Sequence, residues 1–242
     1  MALSTIKTNS IDDSAITNDK IANSTIDVTG KITGAVPVAN GGTALTSIGS
    51  ANQAMTVNSG ASALEFTTIK KAGKESIWVP ATAMYPNTTS GCAGLAQTEL
   101  GNGPELKTLD FDKDSDEFAQ FAVAFPKSWN EGTVTFQAFF TADSTNTGTV
   151  SWVLAGVSCA DNDTINVAFG TGVAPTAKAH SGTANDLDVT AESGAITIAG
   201  SPSTDEEVYF QITRDVSADS LTADAKLLGI KLFFTTDAAN DA

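Results

Sequence analysis

The chain has 242 residues, with 13 Lys and Arg against 28 Asp and Glu, and a formal net charge of -15. This length accommodates one domain of ordinary size with a packed core, together with a smaller appendage. Binding to nucleic acid or to an anionic membrane surface depends on clustered cations, which this acidic chain lacks. A membrane-spanning segment needs about 18 consecutive apolar residues, and the sequence contains no such run.

Residues 1–34 are rich in Ser, Thr, Asn and Asp and carry isoleucine at a nearly regular spacing of five residues. This spacing fits neither the period of a helix nor that of a strand. One isoleucine in five buries too little apolar surface to order a chain alone, so the segment is either a flexible linker or a stem that neighbouring chains stabilise. We favour the stem, with six residues as its particle-anchoring or oligomer interface: Ile6, Ile11, Ile16, Ile21, Ile26 and Ile32.

The amino terminus, Met1 to Ile11, has no charged region followed by an apolar core, so we expect no secretory signal and folding in a cytoplasm. Two cysteines, Cys92 and Cys159, are too few for a disulfide framework. We expect both to be reduced thiols in buried or half-buried positions.

Residues 35–74 form a Gly-rich module and linker. Within it, 53–58 and 63–66 have the composition of short strands, and Asn58-Ser59-Gly60 between them is a turn signal. Such a hairpin is only marginally stable alone in water, so it too is expected to have a partner.

Residues 75–242 are dense in strand patterns. In 133–141, Val134, Phe136, Ala138 and Phe140 share one face, and 207–213 alternates in the same way, as half-buried strands do. The further predicted strands are 118–125, 150–159, 164–169, 188–190 with 195–198, and 225–235. The best short helix candidate is 217–226.

About eight antiparallel strands without alternating helices predict an all-β fold, an antiparallel β-sandwich of jelly-roll type over 75–242, preceded by the extended, oligomer-stabilised stem. Two segments, 150–159 and 227–234, carry apolar residues on both faces. We expect them to be central strands or to lie at a subunit interface.

Few residues point to chemistry. The single histidine, His180, lies in a Gly/Ser-rich stretch and is expected to be a solvated loop residue, and neither cysteine lies beside a cationic cluster that would activate it. We therefore predict no enzyme, no catalytic residue and no cofactor. The acidic stretch 110–116 lacks the Gly and Glu positions of an EF-hand and is best interpreted as a solvated turn, with a calcium site left open.

Aromatic residues offer one further possibility for binding. Trp78, Trp129, Trp152, Tyr85 and Tyr209 could line a platform for sugars, although packing in the core or at an interface is the favoured interpretation.

Residues 38–58, with the sequence VANGGTALTSIGSANQAMTVN, followed by Gly60 and by Leu64-Glu65-Phe66, resemble a module that recurs in tail fibres and other fibrous virion proteins of tailed bacteriophages. The upstream phrase 15–21, AITNDKI, resembles the stem repeats that precede this module. Ala44 replaces a common Gly, and Met55 and Phe66 replace a frequent Leu and Trp; these changes keep the residues small or apolar. The segments 118–140 and 210–234 are similar to structural proteins of marine phages.

The resemblance implies a virion structural protein, made in the host cytoplasm and assembled as a homotrimer. Because the stem is short, we expect a head fibre that decorates the capsid, anchored by its N-terminal segment to other virion proteins, with the major capsid protein as the first candidate. The alternative is a tail fibre or receptor-binding protein that recognises host surface glycans.

Overall fold

A computed structural model describes residues 11, 12, 16, 17, 21, 35–38, 42–68 and 73–236. The chain divides into two compact units, Met1–Ile69 and Lys70–Ala242. Regular structure in the described residues consists of strands and two short 3-10 helices, Ala81–Ala83 and Val216–Ala218. Nowhere in these ranges is there a helix long and apolar enough to cross a membrane.

The first unit contains an antiparallel hairpin of β1 (Gln53–Val57) and β2 (Leu64–Thr68). Its turn is organised by Asn58, whose Oδ1 accepts hydrogen bonds from the backbone N–H groups of Ser62 at 2.9 Å and Ala63 at 3.3 Å. Asn commonly caps turns in this way because its short side chain reaches backbone donors of the following residues. The two predicted strands and the turn between them are confirmed.

The second unit is built from two larger antiparallel sheets and one small one. The smaller sheet has the order β10 (Trp152–Cys159), β13 (Glu207–Arg214), β7 (Glu117–Ala124), β4 (Tyr85–Pro86). The larger sheet has the order β12 (Asp188–Val189), β8 (Thr135–Thr141), β14 (Ala225–Thr236), β6 (Leu106–Phe111), β5 (Ala96–Thr98), and β3 (Gly73–Pro80) also pairs with β14. The third pairs β9 (Thr149–Val150) with β11 (Lys178–Ala179).

The core lies between the two larger sheets. Phe111 of β6 meets Trp152 of β10 edge to face, with ring centroids 5.0 Å apart. Phe125, which follows β7, stacks on Trp129 at 4.1 Å and meets Phe234 of β14 at 5.6 Å. These contacts join the inward faces of the two layers, and the predicted fold class, an antiparallel β-sandwich of jelly-roll type, is confirmed for this domain.

The two strands with apolar residues on both faces lie in different places. β14 is central, because its first half is paired with β6 and β8 and its second half with β3 and β8. β10 is the edge strand of the smaller sheet, and beyond it only isolated bridges form, at Leu154 with Val173 and at Val157 with Ala199. Of the two predicted alternatives, a central position is confirmed for β14, and a subunit interface stays a prediction for β10.

Three sequence predictions in this domain are wrong. Residues 164–169 are not a strand although their apolar residues alternate, and 195–198 contributes only the isolated bridge of Ile196 with Val134. The helix predicted at 217–226 is absent, since the segment holds the end of a 3-10 turn and the start of β14 at Ala225. Strand β3 carried no prediction; its residues are mostly exposed, so its apolar alternation is weak.

Candidate functional site

The structure divides the five predicted aromatic residues between the core and two surfaces. Trp129 and Trp152 are 1% and 0% exposed and belong to the core. Trp78 is 49% exposed on the outward face of the larger sheet, opposite the core. Tyr85, 49% exposed, and half-buried Tyr209 lie on the outward face of the smaller sheet. The expectation of core packing therefore holds for two of the five.

A cleft of about 300 Å³ lies on the outward face of the smaller sheet. Its lining residues all have uncharged side chains: Tyr85, Gln120, Val157, Ile165, Val167, Phe169 and Tyr209. The two tyrosine rings and one amide side chain lie on the sheet, and the apolar residues of 165–169 form a wall beside them. An open apolar cleft with a few hydrogen-bonding groups has the composition of a small-ligand or sugar site.

Strand register sets the positions of the polar groups in this cleft. Tyr85 of β4 lies opposite Gln120 of β7, which lies opposite Gln211 of β13, so these three side chains form a row across the sheet. Tyr209 is two residues before Gln211 on the same strand and therefore projects from the same face. The row presents a phenol and two amides to solvent side by side.

The wall of the cleft is the segment predicted as a strand at 164–169. Its backbone is anchored by the Gly170 N–H, which donates to Gly156 O at 3.0 Å, and it forms a tight turn in which the Val167 N–H donates to Ile165 O at 2.9 Å. Ile165 and Val167 remain 64% and 43% exposed. The alternating apolar residues of this segment therefore form the side of a surface cleft and do not belong to a buried strand.

The Tyr209 hydroxyl donates a hydrogen bond to Glu207 Oε2 at 2.7 Å. This bond, together with burial and the charge of Glu207, raises the pKa of the Tyr209 phenol to about 12. The phenol is therefore neutral and held in one orientation at physiological pH, as a fixed stacking surface requires.

A second cleft, of about 310 Å³, adjoins the first and shares Val157 and Val167 with it. It is lined additionally by Asp163, Thr164 and Gly200, and so adds a carboxylate and a hydroxyl at the end of the apolar wall.

His180 is not a solvated loop residue, and that prediction is wrong. It is 2% exposed; its Nδ1 lies 2.7 Å from Asp188 Oδ2, and its Nε2 lies 3.1 Å from the carbonyl oxygen of Ser144. Both partners are acceptors, so a ring nitrogen that carries hydrogen donates to the partner it faces. Since Asp188 and Ser144 occupy both nitrogens of a buried ring, His180 joins β11 and β12 to the loop after β8 and has a structural role.

Both cysteines lie in the predicted positions, Cys92 buried and Cys159 half-buried, and both are free thiols. Burial, with a contribution from Glu117, raises the pKa of the Cys92 thiol to about 12, and burial also raises that of Cys159. Neither residue is an activated nucleophile, which would need a lowered thiol pKa.

Carboxylates at the end of the acidic stretch and just after it accept hydrogen bonds from backbone N–H groups. Glu117 Oε2 accepts from the Asp112 N–H at 2.7 Å, and Asp116 Oδ1 accepts from the Val216 N–H at 2.9 Å. Across the described ranges, no three His, Cys, Asp or Glu side chains are grouped closely enough to hold a metal ion.

Three of the six stem isoleucines, Ile6, Ile26 and Ile32, lie outside the described residues. Of the others, Ile11 and Ile16 are 42% and 52% exposed in the single chain. Their assignment to a particle-anchoring or oligomer interface stays a prediction.

Searches with protein-family models and among curated proteins gave no match to this sequence. Several solved structures are similar in fold. They include the arabinose-bound MgGH51 α-L-arabinofuranosidase, 12% identical with a TM-score of 0.41 over 63% of this chain and 23% of that chain. The xylan-binding module CBM15 is 13% identical with a TM-score of 0.37 over 70% of this chain and 100% of that one. CBM27-1 of Caldicellulosiruptor saccharolyticus, in complex with mannohexaose, is 11% identical with a TM-score of 0.36, over 65% of this chain and 96% of that one. At such low identities and TM-scores, these similarities carry no information about the ligand of this chain.

Proposed function

We propose that the β-sandwich is a non-enzymatic binding domain that recognises glycans on a host cell surface, through the cleft bounded by Tyr85 and Tyr209. The observation that supports this proposal is an open cleft lined by two outward-facing tyrosines and the amide of Gln120, with the amide of Gln211 beside Gln120 in the same row of the sheet. The faces of sugar rings are apolar and stack on aromatic rings, while their hydroxyl groups pair with amides.

The uncharged lining of this cleft favours a neutral glycan. A carboxylate or sulfate buried there would lose hydration without gaining an opposite charge among the seven lining side chains. Neutral sugars lose less on desolvation and can exchange water hydrogen bonds for those of the amides. We therefore expect selectivity for neutral over acidic glycans at this site.

The setting of this domain rests on the sequence alone. The resemblance of 38–66 to fibrous phage proteins supports a virion fibre with a trimeric stem. Of the two placements, the cleft favours the tail fibre or receptor-binding protein, because capsid decoration does not require a glycan site. The capsid-decorating head fibre remains the second candidate, supported by the short stem.

A glycan array probed with the full chain tests the binding proposal. We expect hits among neutral glycans, and Tyr85→Ala and Tyr209→Ala each to weaken them by roughly tenfold, the effect of losing about 1.4 kcal/mol of stacking. Trp78→Ala is the matched control for the neutral-glycan hits alone, because it removes an exposed aromatic side chain from the opposite face of the sandwich. An array without hits, or hits that both tyrosine variants retain in full, would overturn the proposal.

The virion setting has separate tests. Gold-labelled antibody on intact particles is expected at the tail for a receptor-binding fibre and at the capsid for a head fibre. Light scattering of the full chain is expected to give three times the mass of 24.8 kDa, and a monomer would contradict the trimeric stem.

A further inference from the structure

The outward face of the larger sheet carries a second group of exposed side chains. Register places Trp78 of β3, Lys231 of β14 and Gln137 of β8 in one row across three neighbouring strands. The adjacent row is Ser76, Phe233 and Thr135. Neighbouring strands lie about 4.8 Å apart, so each row spans roughly 10 Å of surface.

Gly229 allows the Trp78 indole to approach the backbone of β14 closely. A Cβ at Gly229 would come within 2.7 and 2.8 Å of two carbons of this indole. Phe139 supports the ring from the side, edge to face, with centroids 5.0 Å apart and an interplanar angle of 83°. The indole is therefore fixed in position by its neighbours and remains 49% exposed.

Two lysine ammonium groups lie over the Phe233 ring, in the row next to that of Trp78. Lys74 Nζ and Lys231 Nζ are 5.1 and 5.3 Å from the centroid of the Phe233 ring, within the range of cation–π contacts. Lys74 is paired with Glu192, which also accepts a hydrogen bond from Thr135. Lys231 forms no ion pair with any residue that the structure describes, and its row neighbours are Trp78 and Gln137 instead of acids.

We propose that this face binds a polysaccharide whose sugars carry carboxylate groups, with a sugar ring stacked on Trp78 and a carboxylate on the Lys231 ammonium. In a chain of net charge -15, Lys231 has no ion-pair partner among the described residues and lies beside a fixed, half-exposed indole. Charge complementarity selects an acidic ligand, and the indole selects one with an apolar ring face. The cleft at Tyr85 has the opposite selectivity, because none of its lining side chains is charged.

This site does not depend on the cleft. The two lie on the outward faces of different sheets with the core between them, so each can be altered without touching the other. The two proposals can therefore fail separately. If the chain binds neutral glycans but no acidic polysaccharide, only the present proposal is wrong, and the reverse result contradicts only the neutral-glycan proposal.

Titration calorimetry of the full chain with polygalacturonate, and with the methyl ester of the same polymer, tests the proposal. The ester keeps the sugar rings and removes the charge. We expect binding to the acid form, at least tenfold weaker binding to the ester, and weakening as salt is added.

Two variants locate the site. Lys231→Gln and Trp78→Ala are each expected to weaken binding to polygalacturonate by roughly tenfold, since a charge-assisted hydrogen bond or a stacked ring contributes about that much. Lys113→Gln is the control, because it makes the same change in net charge at an exposed lysine of the acidic turn. Thermal unfolding confirms that each variant is folded.

Equal binding of acid and ester forms, or full retention of binding in both Trp78→Ala and Lys231→Gln, would overturn the proposal. So would self-association of the wild-type chain that Trp78→Ala abolishes without any polysaccharide binding, because the face would then serve a second copy of the chain.

Discussion

Arg214 Nε donates a hydrogen bond to Asp219 Oδ2 at 2.7 Å, and both side chains are buried, with 0% and 3% exposure. The same guanidinium donates to three carbonyl oxygens, those of Phe111 at 3.0 Å, Ala223 at 2.9 Å and Leu221 at 3.0 Å. Since Arg214 ends a strand of the smaller sheet and Phe111 ends a strand of the larger one, this arginine joins the two layers and fixes the segment before β14.

Removing Arg214 is expected to be among the most destabilising changes in the domain. Arg214→Met removes the guanidinium from the buried Asp219 carboxylate and from three carbonyl oxygens, for a loss of about 3–5 kcal/mol in the free energy of unfolding. Urea unfolding followed by tryptophan fluorescence measures this loss. Lys113→Gln breaks an exposed pair with Asp114 and is expected to leave the unfolding midpoint unchanged. A midpoint shift as small for Arg214→Met as for this control would contradict the expectation.

His180 and Asp188 are expected to be energetically coupled. His180→Leu removes the hydrogen-bond partner of the Asp188 carboxylate, which is 4% exposed and has Lys178 Nζ at 3.7 Å. We expect a loss of about 1–3 kcal/mol from this single change, and a double variant His180→Leu/Asp188→Leu that loses less than the sum of the two single variants. A double-mutant cycle by chemical unfolding measures the coupling, and additive losses would contradict it.

The Tyr209 phenol is expected to ionise at a higher pH than an ordinary tyrosine. The chain has two tyrosines, so Tyr85→Phe leaves Tyr209 as the single phenol to observe. Its hydrogen bond to Glu207 raises its pKa from 10.0 to about 12 in the folded protein. The stabilising contribution of this bond is therefore present below pH 10 and is lost as the pH rises toward 12. Tyrosinate absorbance measures the titration, and adding Glu207→Gln is expected to lower the pKa. An unchanged midpoint in that variant would assign the shift to burial alone.

Cys92 is expected to resist alkylation in the folded protein. Burial and the nearby Glu117 carboxylate raise the pKa of its thiol to about 12, so little thiolate is present at neutral pH. In a Cys159→Ser background, iodoacetamide labelling followed by mass spectrometry should track global unfolding in denaturant. Rapid labelling without denaturant would show that Cys92 is accessible through local opening.

Replacing several of the stem isoleucines by serine is expected to detach the protein from its particle while the β-sandwich stays folded. The sequence predicts that these residues attach the protein to the particle. They belong to the unit Met1–Ile69, whereas the sandwich belongs to Lys70–Ala242, so the substitutions should not unfold it. Particle sedimentation with immunoblotting measures attachment, and far-ultraviolet circular dichroism of the free variant measures folding. Retention on the particle would contradict the anchoring role.

Sequence patterns predicted the elements whose signal is local. Alternation in 133–141 and 207–213 identified β8 and β13, and Val134, Phe136, Ala138 and Phe140 are all 0–1% exposed. The same signal failed at 164–169, where Ile165, Val167 and Phe169 alternate without a strand partner and line a cleft. Alternating apolar residues place apolar side chains on one side of an extended segment. A strand also needs a neighbouring strand to pair with its backbone hydrogen-bonding groups.

Composition and two-residue periodicity were enough to predict an acidic chain with an all-β sandwich, because both follow directly from neighbouring residues. The isoleucine-marked stem stays a prediction. Local patterns did not show that His180 is buried against Asp188, that Arg214 joins the sheets, or that Trp78 and Tyr85 face solvent while Trp129 and Trp152 do not. Burial and pairing depend on segments that are far apart along the chain. Strand order and register bring those segments together, and neither can be calculated from local pattern alone.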